Sequence, residues 1–174
     1  HTPSVESGTE NLYAGGTGTE NDPYEIANWT HLNNTRENLN ANYTLVADLN
    51  KSNDDYGDVH DGEKGFAPIG TRSTPFNGTF DGNGYTIADL TIDRSSEYRV
   101  GLFGQAGSNA VITDASLEAV NVTGHSSGGG LVGANLGSVS DSSATGYVTG
   151  DRRVGGLVGL NGGTLTASNA TVTV

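Results

Sequence analysis

The sequence predicts an all-β chain: a right-handed parallel β-helix with coils of about 26 residues and a short N-terminal helix as its cap. Three observations carry this prediction. The tetrad Gly-Leu-x-Gly occurs at Gly101-Leu102-Phe103-Gly104, Gly130-Leu131-Val132-Gly133 and Gly156-Leu157-Val158-Gly159. A second marker recurs with nearly the same period at Ile87-Ala88-Asp89, Ile112-Thr113-Asp114, Val139-Ser140-Asp141 and Leu165-Thr166-Ala167. Between the markers, short β-branched runs such as Val120-Asn121-Val122-Thr123 alternate with turns rich in Gly, Asn and Ser, which is strand rather than helix patterning. A unit of this length holds three short strands with turns, whereas a propeller blade needs about 40 residues. The right hand follows from the bias of parallel crossovers.

Taken in order, residues 1–22 are polar and rich in Gly, Ser and Thr, and read as a flexible leader. Residues 23–174 read as a single β-helix domain. Within it, residues 23–84 form the N-terminal cap and first coils, and residues 85–174 form the regular repeats. Trp29 to Leu39 reads as a short helix with Asn28 as its N-cap, placed to cover the open end of the stack. Leu45 to Leu49 reads as a first-coil strand. The repeats predict two inward columns, Ile87–Ile112–Val139–Leu165 and Leu102–Leu131–Leu157. The glycines beside the leucines allow sharp corners or close backbone approach. The sequence stops at Val174 in mid-coil, so a further coil or a second subunit is expected over that end.

The repeats, seen as Gly129-Gly130-Leu131-Val132-Gly133-Ala134-Asn135 and Gly155-Gly156-Leu157-Val158-Gly159-Leu160-Asn161, resemble the GLUG repeat. The preceding segments, Gly18 to Ile26, Pro68-Ile69-Gly70 and Phe76 to Gly84, also resemble what lies upstream of such repeats. That resemblance covers roughly residues 15–174. It implies a scaffold segment of a large secreted or surface-anchored microbial protein, of the kind found in adhesin-like chains and beside an IgA-cleaving peptidase.

Charge narrows the function classes. Asp and Glu total 20 against 8 Lys and Arg, a formal net charge of −12. Such a surface repels nucleic acid and anionic membranes, so neither is expected as a partner. No apolar run is long enough to span a bilayer. With no Cys, thiolate chemistry is excluded. The acid excess with two lysines resembles proteins of salt-loving microbes, whose dense carboxylates keep them hydrated where salt screens repulsion.

Several residue groups are candidates for chemistry. Asp54, Asp55, Asp58, Asp61 and Glu63 supply five carboxylates in one loop, a candidate Ca²⁺ site without EF-hand spacing. Asp89, Asp114 and Asp141 would stack about 4.8 Å apart as a cation ladder, or serve as turn residues bonding their own backbone. Seven sequons, at Asn28, Asn33, Asn42, Asn50, Asn77, Asn121 and Asn169, exceed chance and fit a glycosylated surface protein. Arg94, Arg99, Arg152 and Arg153 fall near coil corners without an evident catalytic partner. No Gly-x-Ser-x-Gly elbow is present, and His1, His31, His60 and His125 lack metal-ligand spacing, so no catalytic residue is assigned. The expected function is a non-catalytic extracellular structural or adhesive module that self-associates or contacts neighbouring surface proteins. A second reading is glycan recognition through Tyr98 or Tyr147, and a third is a polysaccharide-degrading enzyme.

Overall fold

The computed structural model describes residues 12–60 and 62–174. The chain runs β1 (Tyr24–Ile26), α1 (Trp29–Asn34), a 3-10 turn (Thr35–Glu37), β2 (Asn42–Leu45), α2 (Tyr56–Val59), β3 (Thr79–Asp81), β4 (Thr86–Ala88) and β5 (Thr91–Val100). It continues through β6 (Phe103–Ala106), β7 (Val111–Thr113), β8 (Ser116–Gly128), β9 (Val132–Asn135), β10 (Ser138–Ser140) and β11 (Ser143–Thr149). The last elements are β12 (Arg152–Val154), β13 (Val158–Asn161), β14 (Thr164–Thr166) and β15 (Asn169–Thr173). The strands form three sheets, and every pairing between them is parallel. One sheet runs β1-β2-β3-β7-β10-β14 and another β6-β9-β13. The third is built on the long β8, with β4 and β5 on one side, β11 and β12 on the other, and β15 beyond β11. This is a parallel β-helix, as the repeat spacing predicts.

The core is a stack of inward side chains. Tyr24, Tyr43, Phe80, Ile112, Val139 and Leu165 share one column, 19, 37, 32, 27 and 26 residues apart, so the coils reach their regular period only after the insertions of the first half. Leu102, Leu131 and Leu157 stack through Phe103↔Val132↔Val158 pairing and are buried, as expected. Ile87, expected below Ile112, lies instead on the neighbouring sheet, paired with Leu117 and bridged to Leu49. The cause is the turn after β3, where Gly82–Tyr85 lies between paired residues that Asp114–Ala115 separates one coil later. A sequence interval close to one coil therefore joined two different sheets.

The last glycine of each tetrad is required by close approach rather than by dihedral angle. A Cβ on Gly133 would lie 2.6 Å from the Arg99 carbonyl carbon and 2.7 Å from the oxygens of Gly104 and Ser127. Gly104 and Gly159 face the Arg99 and Arg153 carbonyls at 2.9 and 2.7 Å in the same way. Asn135, wholly buried, satisfies the backbone locally. Its Oδ1 accepts from the Gly137 N–H at 3.0 Å, while Nδ2 donates to Asn161 Oδ1 at 2.9 Å on the next coil. Orphaned buried polar groups are costly, so this asparagine steadies the turn without a penalty.

At the N-terminal end, α1 is shorter than the expected Trp29–Leu39 and passes directly into the 3-10 turn. Asn28 is its N-cap, Oδ1 accepting from the His31 N–H at 2.8 Å. Trp29 is buried, donates its indole N–H to the Asn50 carbonyl at 2.9 Å, and meets Tyr56, His60 and Phe66. Residues 12–22, expected within a flexible leader, are tied to the first coil. Tyr13 is buried, stacks on Tyr24 at 4.3 Å and hydrogen-bonds the Tyr43 hydroxyl at 3.2 Å. Burial raises the pKa of both Tyr13 and Tyr43, keeping the pair protonated. The Ala14 N–H donates to the Glu25 carbonyl and the Glu25 N–H to the Gly15 carbonyl, each at 2.8 Å, so this segment covers part of the free edge of β1. Residues 1–11 of the expected leader lie outside the described residues.

Candidate functional site

One corner of the helix gathers the positive charge of an acidic chain. Parallel pairing stacks Tyr98 on Ser126 and Ser126 on Arg152, which brings Arg99, Ser127 and Arg153 into a single column. All three adopt positive φ, at 59°, 59° and 53°, the sharp bend that turns each strand onto the next face. Before this bend β5 loses register between Arg94 and Tyr98, and the displaced segment forms one wall of a lateral groove of about 470 Å³. The opposite wall is the Ala67–Arg72 segment, so Arg72, Arg94 and Arg99 line one space with Glu97 and Tyr98.

Only part of this charge is neutralised. Glu97 pairs with Arg94 at 3.1 Å and Lys64 at 3.6 Å, partly exposed contacts that are worth little in stability. Among the described residues, Arg72 and Arg99 have no carboxylate partner, and the buried Nε of Arg99 has no hydrogen-bond acceptor. Behind the groove, Arg36 donates to the carbonyls of Ala67 at 2.9 Å and Pro68 at 3.3 Å. Burial, then the positive charge of Arg94, lowers the Arg36 pKa. Tyr98 is 61% exposed and meets the His125 ring edge-on at 4.9 Å, and His125 Nδ1 lies 2.9 Å from Asp151 Oδ2. Five of the eight basic side chains, Arg36, Arg72, Arg94, Arg99 and Arg153, thus lie in this groove, behind it or in its corner column, while Lys64 pairs with Glu97 and Arg152 precedes Arg153.

The acidic loop has a different geometry from the one its composition implies. Its middle residues, Tyr56–Val59, form α2, which turns Tyr56 and His60 onto Trp29. Asp55 Oδ2 accepts the Thr30 N–H at 2.7 Å, tying the loop to the first turn of α1. Asp54, Asp58 and Glu63 are exposed, and Asp61 lies outside the described residues. Among the described residues no three His, Asp or Glu side chains converge as a metal site. The carboxylate ladder divides as well. Asp114 and Asp141 occupy the same corner on adjacent coils and Ala167 follows them, while Asp89 sits at another corner, level with Ala119. All five have positive φ, a conformation Asp tolerates, and Asp89 Oδ2 accepts the Lys51 N–H at 3.1 Å.

The sequons separate by exposure. Asn121 and Asn169 are exposed, whereas Asn28, Asn33, Asn42, Asn50 and Asn77 are half-buried. Several of the latter side chains are engaged: Asn28 caps α1, Asn33 binds Arg36, Asn42 donates to the Gly18 carbonyl and Asn77 accepts from the Asn109 N–H. Tyr147, 61% exposed, pairs with Asn121 away from the groove. Sequence spacing placed Arg94 and Arg99 near corners but missed their convergence with Arg72. The departure of residues 94–99 from the 26-residue rhythm was the signal available.

Fold and corner together define a parallel β-solenoid with a lateral cationic groove. The chain is 39% identical over 146 residues to Halomucin of Haloquadratum walsbyi, a match spanning 81% of this chain and 2% of that protein. It is 33% identical over 145 residues to a protein of Evansella cellulosilytica named as a Gly-rich membrane protein, spanning 80% of this chain and 16% of the relative. The chain therefore spans a small part of these curated relatives. No family model matches it. Among solved structures, a chain from Bacteroides ovatus named as an immunoglobulin A1 protease superposes with a TM-score of 0.62 at 19% identity, over 79% of this chain and 41% of that one. That likeness shows the fold. No helix among the described residues is long and apolar enough to cross a membrane.

Proposed function

We propose that this chain is a non-catalytic structural module of a long extracellular microbial surface protein, built from GLUG-type repeats and adapted to high salt. The observation that carries the reading is how each regular coil spends its residues. Leucines and valines stack inward, tetrad glycines admit the backbone of the adjacent turn, and Asn135 bonds the turn and the next coil. Such coils act as spacers, and repeating them lengthens a rod without new chemistry. The similarity to Halomucin and the net charge of −12 support a halophilic surface setting. Exposed sequons at Asn121 and Asn169 support glycosylation there, and neighbouring surface proteins or further copies are the partners this role calls for.

Antibodies against the folded chain test the reading on its source cells. They should label intact cells, and external protease should remove the signal. Labelling that requires permeabilisation would refute the surface role.

A further inference from the structure

We propose that the groove between the Ala67–Arg72 segment and the Arg94–Arg99 segment binds a linear acidic glycan, one bearing carboxylate or sulfate groups. Arg72, Arg94 and Arg99 converge on one space, and a guanidinium's planar fork matches the paired oxygens of either anion. Glu97 occupies Arg94 and Lys64, leaving Arg72 and Arg99 without a carboxylate partner among the described residues. The buried Arg99 Nε–H also lacks an acceptor, so no hydrogen bond at that atom ties the guanidinium to the protein. Beside them Tyr98 presents an exposed ring held edge-on against His125, an aromatic platform on which a sugar's C–H face can rest.

The corner column adds spacing. Arg99 and Arg153 are two rungs apart, with buried Ser127 between them, which places their backbones about 10 Å apart along the axis. Charges that recur on alternate sugars of a polymer have a comparable repeat. The rest of the surface is acidic and repels polyanions, so the groove is also the direction from which such a chain can approach. A sugar polymer uses Tyr98 and the arginines together, whereas an acidic peptide would need only the charge, and oligo-dT in the test below separates a sugar from a stacked base. This binding does not depend on the module's place on a cell surface.

Isothermal titration of the whole chain tests the proposal with four probes: tetragalacturonate, a sulfated galactan oligosaccharide, maltotetraose and oligo-dT. At least one of the first two should bind at low salt, and which one does identifies the anion. Arg72→Ala and Tyr98→Ala, both at exposed side chains, should each weaken binding about tenfold or more with an unchanged thermal midpoint, and Tyr98→Phe should retain it. The proposal is overturned if neither acidic oligosaccharide binds, if maltotetraose or oligo-dT binds as tightly, or if both alanine variants bind like the parent.

Discussion

Replacing Gly133 by Ala asks whether the tetrad glycines act through space or through dihedral freedom. Gly133 has an ordinary backbone conformation, so alanine fits its torsions. Its methyl group would nevertheless sit 2.6–2.7 Å from three backbone atoms, on Arg99, Gly104 and Ser127. Arg99 and Gly104 belong to the preceding coil and Ser127 to the same coil, so relief requires spreading two rungs of the stack. Overpacking a well-filled core costs about 1–3 kcal/mol, and with only main-chain atoms to yield the upper figure applies. At about 2–4 °C per kcal/mol for a chain of this size, the thermal midpoint should fall by about 6–12 °C. The control is Gly57→Ala in α2, where the new methyl meets nothing within 4 Å and helix preference gives a gain of about 0.5 kcal/mol. Thermal and urea unfolding by circular dichroism reads both variants. A Gly133→Ala midpoint no lower than that of Gly57→Ala would refute the close-approach explanation.

Two more perturbations address the N-terminal aromatic cluster. Burial lowers the His60 pKa, against weaker raising effects from its bond to the Tyr56 carbonyl and from Asp89. The unfolded chain therefore takes up a proton first, at about pH 6.5, and stability should decline as pH falls below that value toward the lower folded pKa. His31, also lowered by burial, acts in the same direction. His60→Phe should flatten much of that acid limb in urea titrations at stepped pH, and an unchanged limb would remove His60 as its source. Asp55→Ala should cost about 1 kcal/mol by freeing the Thr30 N–H, with Asp55→Asn close to the parent. If the loss appears only when Ca²⁺ is present, Asp55 is a metal ligand rather than a cap.

The sequence disclosed the parts of the fold that repeat. The Leu102–Leu131–Leu157 column and the Ile112–Val139–Leu165 series are each set by a neighbour one coil away, and that local copying is what a period records. It misplaced Ile87 because the longer turn after β3 shifts phase without changing residue types. The groove was illegible for a related reason. Its walls come from Ala67–Arg72, ahead of the regular coils, and from the segment where β5 slips register. The placement of the acidic loop was illegible because its composition records the exposed Asp54 and Asp58, while its position depends on Tyr56 and His60 docking on Trp29.

The inward columns must repeat because each residue packs on its own counterpart, but most corner residues, Asp114, Asp141, Ala167 and Arg153 among them, face solvent and can vary. Two corners with nearly the same backbone illustrate this: one carries Asp114, Asp141 and Ala167, the other Arg99, Ser127 and Arg153, all at positive φ. Aspartate is a natural occupant of that conformation, whereas an arginine there carries a backbone strain of about 1 kcal/mol or more. The Arg99 side chain must offset that strain, through packing or through a ligand, and Arg99→Asn separates the two. If the guanidinium serves a ligand, asparagine should keep the thermal midpoint or raise it slightly while abolishing binding of the acidic oligosaccharide. If its stem instead holds the corner together, the midpoint should fall by several degrees and binding should weaken only in proportion to the unfolded fraction. The second result would assign the positive corner to stability and leave Arg72 and Arg94 to account for the groove.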